Sequence, residues 1–388
     1  MDQSFGKIHS PISRSLVLDA SPVENEASSK RQVASSKWQV ARVNSKKVLI
    51  VQTAFIGDVI LATPLAEAVQ QVFPDSQIDF MTIPAAANLL EKNKFINRVV
   101  IFDKRGRQRG LLALWKLAKS LQQEHYDVAL VPHRSLRSAL LVRLAKIPQR
   151  LGFDRSAGKW FFTRRVPYRQ KHEVERNLDL LRVLDNNFAA PSPKIFRDNS
   201  DEQIVGQLLN DNKAAKWRCA LAPGSVWATK RWPAERFIEL AKKLIAETGA
   251  FVYLIGGGSD LELCAAIADE IGGNCFDAAG KLSLRQSAAL LDRCQILVSN
   301  DSAPTHLGVA TRCKIITIFG PTVPAFGFAP FGEGHLVIEK KLPCRPCSSH
   351  GGHRCPIGTH ACMLEISAEE VFRRVLALRN AALIYSGE

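Results

Sequence analysis

From Lys46 onward the chain alternates short apolar runs rich in branched residues with longer amphipathic stretches. VLIV (48–51), IDFMTI (78–83), RVVIF (98–102) and DVALV (127–131) have the length and composition of strands, and helical patterns lie at 59–72, 85–92, 110–124 and 135–145. Strands joined through helices need right-handed crossovers, which predicts a parallel sheet covered on both faces. A polar segment at 197–213 (RDNSDEQIVGQLLNDNK) interrupts the pattern, which then restarts. CALAPG (219–224), FVYLIGG (251–257), CQILVSN (294–300) and KIITIFG (314–320) alternate with helices expected from Pro233 to near Gly249, over 260–271 and from about 303. The expected fold class is α/β, with two Rossmann-like domains, 46–197 and 198–366, facing across a cleft. Ser367 and Glu370 form a capping box, stapled by Ile366 and Val371, that predicts a terminal helix over 367–388. Residues 1–45 hold ten serines and no sustained periodicity, so a flexible tail is expected there.

Composition agrees with this layout and narrows the partners. A chain of 388 residues, 46% hydrophobic, is long enough for two cores. Its 52 Lys and Arg against 37 Asp and Glu give a net charge of +15, which concentrates anionic partners such as nucleic acid, phosphorylated lipid or sugar nucleotide. Zinc-finger spacing, RNA-binding aromatic signatures and dense basic runs are all missing, so nucleic acid is not the expected partner. No stretch approaches the roughly 20 apolar residues that span a bilayer, and the first thirty residues lack the apolar centre of a secretory signal. A cytoplasmic protein that touches a membrane surface is expected.

Ligands of facing parallel-sheet domains sit along the carboxyl ends of the strands. In the first domain the turn after VLIV has a single glycine, Gly57, followed by Asp58, an unusual choice for a turn that would receive phosphate. Three loops of the second domain carry more conventional anion chemistry. NDSAPTHL starts a helix at Asp301 and Ser302, with His306 facing the same opening; free helix-start amides favour a diphosphate, although a simple helix cap reads the same way. APGSVWATKRWP presents Ser225, Thr229 and Lys230, and a lysine there can neutralise phosphate as a point charge. Trp232 reads as a core anchor. LIGGGSDLE allows close backbone approach at Gly257 and places Asp260 to accept from sugar or ribose hydroxyls, or else forms only a tight turn.

Taken together, GDVILATP, APGSVWATKRWP and NDSAPTHL resemble glycosyltransferase family 9, the ADP-heptose lipopolysaccharide heptosyltransferases, from about Lys46 to the C-terminal helix. The resemblance implies a GT-B fold and inverting heptose transfer from an ADP-sugar donor, with no cofactor required for catalysis. Position by position it implies that Asp58 is the essential acid and Lys230 the donor-phosphate lysine, with Ser225 in the same loop. It also implies that Asp260 contacts the sugar and that Asp301, Ser302 and His306 form the second donor loop. Ala303 and Val226 depart from the family pattern, at a glycine and a hydroxyl position respectively. The first domain would hold a lipid-linked Kdo acceptor at the membrane surface, at the cytoplasmic face of the inner membrane. Lys104, Arg105, Arg134 and Arg137 are the basic residues expected to meet its carboxylates and phosphates. A same-fold alternative is a nucleotide-sugar epimerase, and a different-class alternative is a nucleic-acid-binding module suggested by charge alone.

Within the loop 343–363, Cys344, Cys347, Cys355 and Cys362 lie among three histidines. The first pair has the two-residue gap of zinc knuckles and the later gaps match no standard finger, leaving structural zinc, packed thiols and a disulfide as open readings.

Overall fold

The computed structural model describes residues 46–210 and 217–386, and within them the alternation becomes two six-stranded sheets. The first contains β1 (Lys47–Val51), β2 (Gln77–Thr82), β3 (Arg98–Ile101), β4 (Val128–Val131), β5 (Gln149–Phe153) and β6 (Arg164–Val166), in the order β3-β2-β1-β4-β5-β6. The second contains β7 (Arg218–Ala222), β8 (Phe251–Leu254), β9 (Cys275–Asp277), β10 (Ile296–Asn300), β11 (Lys314–Phe319) and β12 (Leu336–Glu339), in the order β12-β11-β10-β7-β8-β9. All neighbours are parallel. Counted from its own first strand, each sheet has the same order, and its winding reverses between the first and fourth strands. Those two switch points, β1 beside β4 and β7 beside β10, are where the crevices open.

Twelve helices connect and cover the strands: α1 (Ile56–Ala62), α2 (Pro64–Val72), α3 (Leu111–Gln123), α4 (Leu136–Leu144), α5 (Glu173–Arg182), α6 (Asn199–Asn210), α7 (Ala234–Thr248), α8 (Leu261–Ile271), α9 (Leu284–Leu291), α10 (Ala303–Val309), α11 (Ala361–Leu364) and α12 (Ala368–Ser386). The helix expected over 59–72 is two helices, because Pro64 brings no amide to continue the first. The one expected over 85–92 is a 3-10 turn, Pro84–Leu89. The polar segment expected as a connection carries α6, whose Asp201 sits buried 2.9 Å from the Arg285 guanidinium. Ahead of α12, the Ser367 hydroxyl accepts the Glu370 amide at 3.1 Å, and Ile366 and Val371 are both buried, as the capping box predicts. The tail expected over 1–45 lies outside the described residues.

Three apolar cores hold these layers. One face of the first sheet packs under α3 and α4 around Leu49, Phe102 and Leu141, and one face of the second packs under α7, α8 and α12 around Trp232, Phe237 and Phe372. The third core is shared, running from Ile50, Leu65 and Phe153 to Tyr253, Leu290 and Leu307. Polar contacts join the lobes beside it: the Glu173 amide donates to Gly327 O at 2.8 Å and Arg176 donates to Phe326 O at 2.7 Å. Among the described residues no helix is long and apolar enough to cross a membrane.

Candidate active site

The loop after β1 turns directly into α1, placing Asp58 in the first helical turn, where its carboxylate accepts the Phe55 amide at 3.2 Å. Helix-start amides favour the ionised form, but burial outweighs them. Burial, followed by the neighbouring Glu173, pushes Asp58 up to about 7, against the Phe55 and Asp58 amides and Arg134. A carboxylic acid poised near neutrality can accept a proton at physiological pH.

The loop after β4 adds His133 and Arg134. His133 Nδ1 lies 2.9 Å from both the Thr53 and the Ser138 hydroxyls. Burial, then the charges of Lys104 and Arg134, push this imidazole down to about 3, so it is neutral. Arg134 lies 4.4 Å from the Tyr168 ring centre, and the buried Glu173 carboxylate is held 2.6 Å from Arg176.

Facing them, the second lobe supplies a different set. Lys230 ends the 3-10 turn after Ser225, and its ammonium lies 2.6 Å from the Asp301 carboxylate at the end of β10. Thr322 donates to the same carboxylate oxygen at 2.7 Å, and the Ser302 hydroxyl donates to Gly224 O at 3.3 Å. His306 in α10 is buried, and burial pushes it down to about 4, with Asp301 opposing. Its Nδ1 has no hydrogen-bond partner among the described residues.

Both sets line one cavity of ≈ 610 Å³ between the lobes. Gly57 explains how they come so close. A Cβ on Gly57 would fall 2.7 Å from His306 Cδ2, so the glycine lets α1 and α10 touch and sets Asp58 opposite the second lobe's loops.

Of the predicted residues, Asp58, Arg134, Ser225, Lys230, Asp301, Ser302 and His306 line this cavity; Thr229, Gly257, Asp260, Lys104, Arg105 and Arg137 do not. Thr229 is buried and clamps another loop, its hydroxyl bonding the Gly352 amide at 2.8 Å. Asp260 accepts the Gly257 amide at 2.9 Å and nests against Gly224 and Gly256, where an added Cβ would meet its side chain at 2.3 and 2.8 Å. The glycine cluster thus accommodates an aspartate side chain as well as closing a turn. Arg137 donates to Lys104 O and Gln108 O, at 3.1 and 2.8 Å, and so pins the loop that carries Lys104. Lys104 is half-buried and feels the Asp58 charge from just outside the cavity, while Arg105 is exposed. Trp232 is the core anchor expected, its indole N–H donating to Ile366 O at 2.9 Å.

The four loop cysteines lie near one another but in different environments. Cys362 is buried in the apolar core, Cys347 is exposed, and Cys344 and Cys355 are intermediate. Among the described residues no group of three or more His, Cys, Asp or Glu side chains is arranged to hold a metal ion, and all nine cysteines are free thiols. Among the described residues these thiols are neither joined in pairs nor set as a metal-ligand group. The loop braces the Lys230 side of the cavity: besides the Thr229 clamp, His360 Nε2 lies 2.9 Å from Thr229 O, and Gly351 packs against Trp227 and Lys230.

The cavity also contains His133, Glu173, Trp227, Ser349 and His350, which the sequence reading did not single out. His133 could have been found, since PHR directly follows a strand next to the switch point. Glu173 lies on a helix whose polar composition hid it, and Ser349 and His350 arrive from a loop more than a hundred residues from Lys230.

Residues 114–354 match the family described as glycosyltransferase family 9 (heptosyltransferase). Lipopolysaccharide heptosyltransferase 2 of Escherichia coli (strain K12) is 28% identical over 295 residues, 72% of this chain and 84% of that protein. A family 9 glycosyl transferase from Veillonella parvula superposes with a TM-score of 0.73 at 23% identity, covering 86% of this chain and 97% of the other. The E. coli heptosyltransferase WaaC with ADP superposes at 0.65 and 22% identity, covering 86% and 99%. These matches favour sugar transfer over the epimerase and nucleic-acid alternatives.

Proposed function

The chain belongs to glycosyltransferase family 9, and on that footing we propose that it transfers a heptose from ADP-heptose to a lipopolysaccharide inner-core acceptor, with inversion at the anomeric carbon. The observation that carries this reading is the apposition of Asp58, poised near pH 7, to Lys230 and Asp301 across one cavity.

In the proposed reaction an acceptor hydroxyl gives its proton to Asp58 while its oxygen forms a bond to the anomeric carbon. The bond from that carbon to the diphosphate oxygen breaks, and its electron pair leaves with ADP. Lys230, paired with Asp301 before the donor arrives, turns its charge toward the diphosphate, and the amides opening α10 add to it. Ser225 and Ser302 border the same phosphates. These groups supply the positive charge the leaving group needs, so transfer is expected to proceed in EDTA.

The acceptor side is read from the first lobe. Arg134 in the cavity and Lys104 and Arg105 beside it suit the carboxylates and phosphates of a Kdo-containing lipid. A lipid-linked acceptor places the enzyme peripherally at the cytoplasmic face of the inner membrane.

The test is incubation of purified protein with ADP-heptose and Kdo-lipid acceptors already carrying zero, one or two heptoses, read by mass spectrometry. A gain of one heptose on one acceptor is expected, in EDTA as in buffer. No gain on any acceptor would overturn the reading, and a requirement for added divalent metal would overturn its metal-free form.

A further inference from the structure

Helix α3 satisfies its own lobe with one face: Leu114, Ala118 and Leu121, at the spacing of successive helical turns, are buried beside Phe102 and Tyr126. The flank of its first turns is not the polar surface such a helix normally shows. Leu111 is 79% exposed, Leu112 72% and Trp115 52%, three large apolar side chains in one patch at the start of the helix. Among the described residues all three remain exposed.

Charge surrounds the patch with one sign. Residues 104–123 contain six Lys or Arg and no Asp or Glu. The flanking acids are engaged: Asp103 accepts the Gly106 and Arg107 amides at 2.9 Å each, and Glu124 is held by Lys47 at 2.6 Å and Arg98 at 2.7 Å. Arg107, Arg109, Lys116 and Lys119 are exposed, and the Lys119 ammonium lies 5.5 Å from the Trp115 ring centre. Exposed leucine and tryptophan ringed by uncompensated cations complement the surface of an anionic bilayer, where the apolar side chains enter the interface and the cations meet headgroups. The same segment leads toward the cavity, since Arg137, two residues after the cavity-lining Ser135, fixes the loop carrying Lys104.

We propose that the start of α3 and the loop before it form a docking surface for an anionic lipid bilayer. The surface holds the first lobe against the membrane with the Asp58 side of the cavity turned toward lipid-borne acceptor. This proposal deepens the proposed function and rests on its lipid-linked acceptor.

The test is flotation of the full chain with vesicles of phosphatidylcholine alone or mixed with phosphatidylglycerol. The protein is expected to float with the mixed vesicles only, and less in high salt. L111S/L112S/W115S should cut partitioning by roughly tenfold. R107Q/R109Q/K116Q/K119Q should cut it by about fivefold per charge removed. Both variants should keep the parent melting temperature and the parent rate on a lipid-free acceptor, while slowing on vesicle-borne acceptor. That lipid-free rate separates the two ideas: its absence in the parent protein would remove the heptosyltransferase reading, whatever the vesicles show. Failure of the parent to float, or equal flotation of the triple serine variant, would overturn the docking surface. So would a variant that turns a dimer into a monomer while still floating, because the patch would then be an interface between copies.

Discussion

The two lobes share one sheet topology and place their chemistry at the same point of it, yet what they place there is opposite. At its switch point the first lobe carries a carboxylic acid pushed up to about 7 and an imidazole held neutral. The second carries a cation already paired with Asp301, and a helix start. In the proposed reaction one lobe takes a proton and the other stabilises a departing anion. The fold thus supplies two equivalent crevices, and the residues in four loops decide which half of a transfer each performs.

If that division of labour is right, removing the acid should have the largest effect. Asp58→Asn keeps the shape and loses the base, so turnover should fall by roughly 10²–10⁴-fold while ADP binding by calorimetry stays within a factor of two of the parent. In the parent, turnover should rise as pH passes through about 7 and Asp58 ionises. An Asp58→Asn enzyme that kept both its rate and this pH dependence would break the comparison at its first term.

The second lobe gives a smaller, differently distributed loss. Lys230→Ala should cost about 10²-fold in turnover and should also weaken ADP binding. It leaves the buried Asp301 carboxylate without its cation, so the informative partner is the Lys230→Ala/Asp301→Asn double variant. If Lys230 meets the diphosphate directly, the double variant stays as slow as the single. Recovery of the parent rate in the double variant would make Lys230 only a counter-ion for Asp301.

How much of this was legible differs between the strands and the site. Strands buried on both faces, such as β1, β4 and β10, announce themselves as unbroken apolar runs. Three-residue strands such as RRV and CFD are too short and too little buried to do so. Helix α9 carries its own signal in the sequence, the reciprocal capping box of Ser283 and Gln286. At the site, residues placed directly after central strands were found, because the loops at strand ends have defined positions. Thr229 and Arg137 stand outside the cavity lining for one common reason: a polar side chain in the right loop can be spent on the backbone of a neighbouring loop, and one-dimensional spacing does not show which.

In the sequence Gly57 is the single glycine of a turn that would ordinarily receive phosphate, and the structure gives it another duty, to let the lobes meet. Gly57→Ala would put a methyl 2.7 Å from the buried His306 ring, forcing α1 and α10 apart by a fraction of an ångström. Since displacement of a reacting group by about 1 Å can cost 10²-fold, a loss on the order of tenfold in turnover is expected, with ADP binding unchanged. Adding His306→Ala removes the obstructing ring, and although that variant loses donor contacts of its own, the two effects should be less than multiplicative. Multiplicative losses would mean that Gly57 acts independently of the lobe contact.

The smallest effect lies in stability, and there Asp58 of the first lobe and His306 of the second should respond to pH with opposite signs. Asp58 is raised to about 7 in the folded protein, so between the ordinary carboxylate range and pH 7 the native state keeps a proton that the unfolded chain releases. The unfolded state binds fewer protons over that window, and stability from this group falls as pH rises. His306 is lowered to about 4, so between the ordinary histidine value and pH 4 the unfolded chain binds a proton that the native state refuses, and stability from this group falls as pH drops. Asp58→Asn should therefore raise the melting temperature at pH 8 by about 2–4 °C and leave it nearly unchanged at pH 4. His306→Asn should be relatively more favourable at pH 4.5 than at pH 8. Calorimetric scans at the two ends of this range decide it. Equal shifts at both ends would mean that neither group changes its protonation on folding, and the electrostatic contrast between the lobes would then be confined to substrate binding.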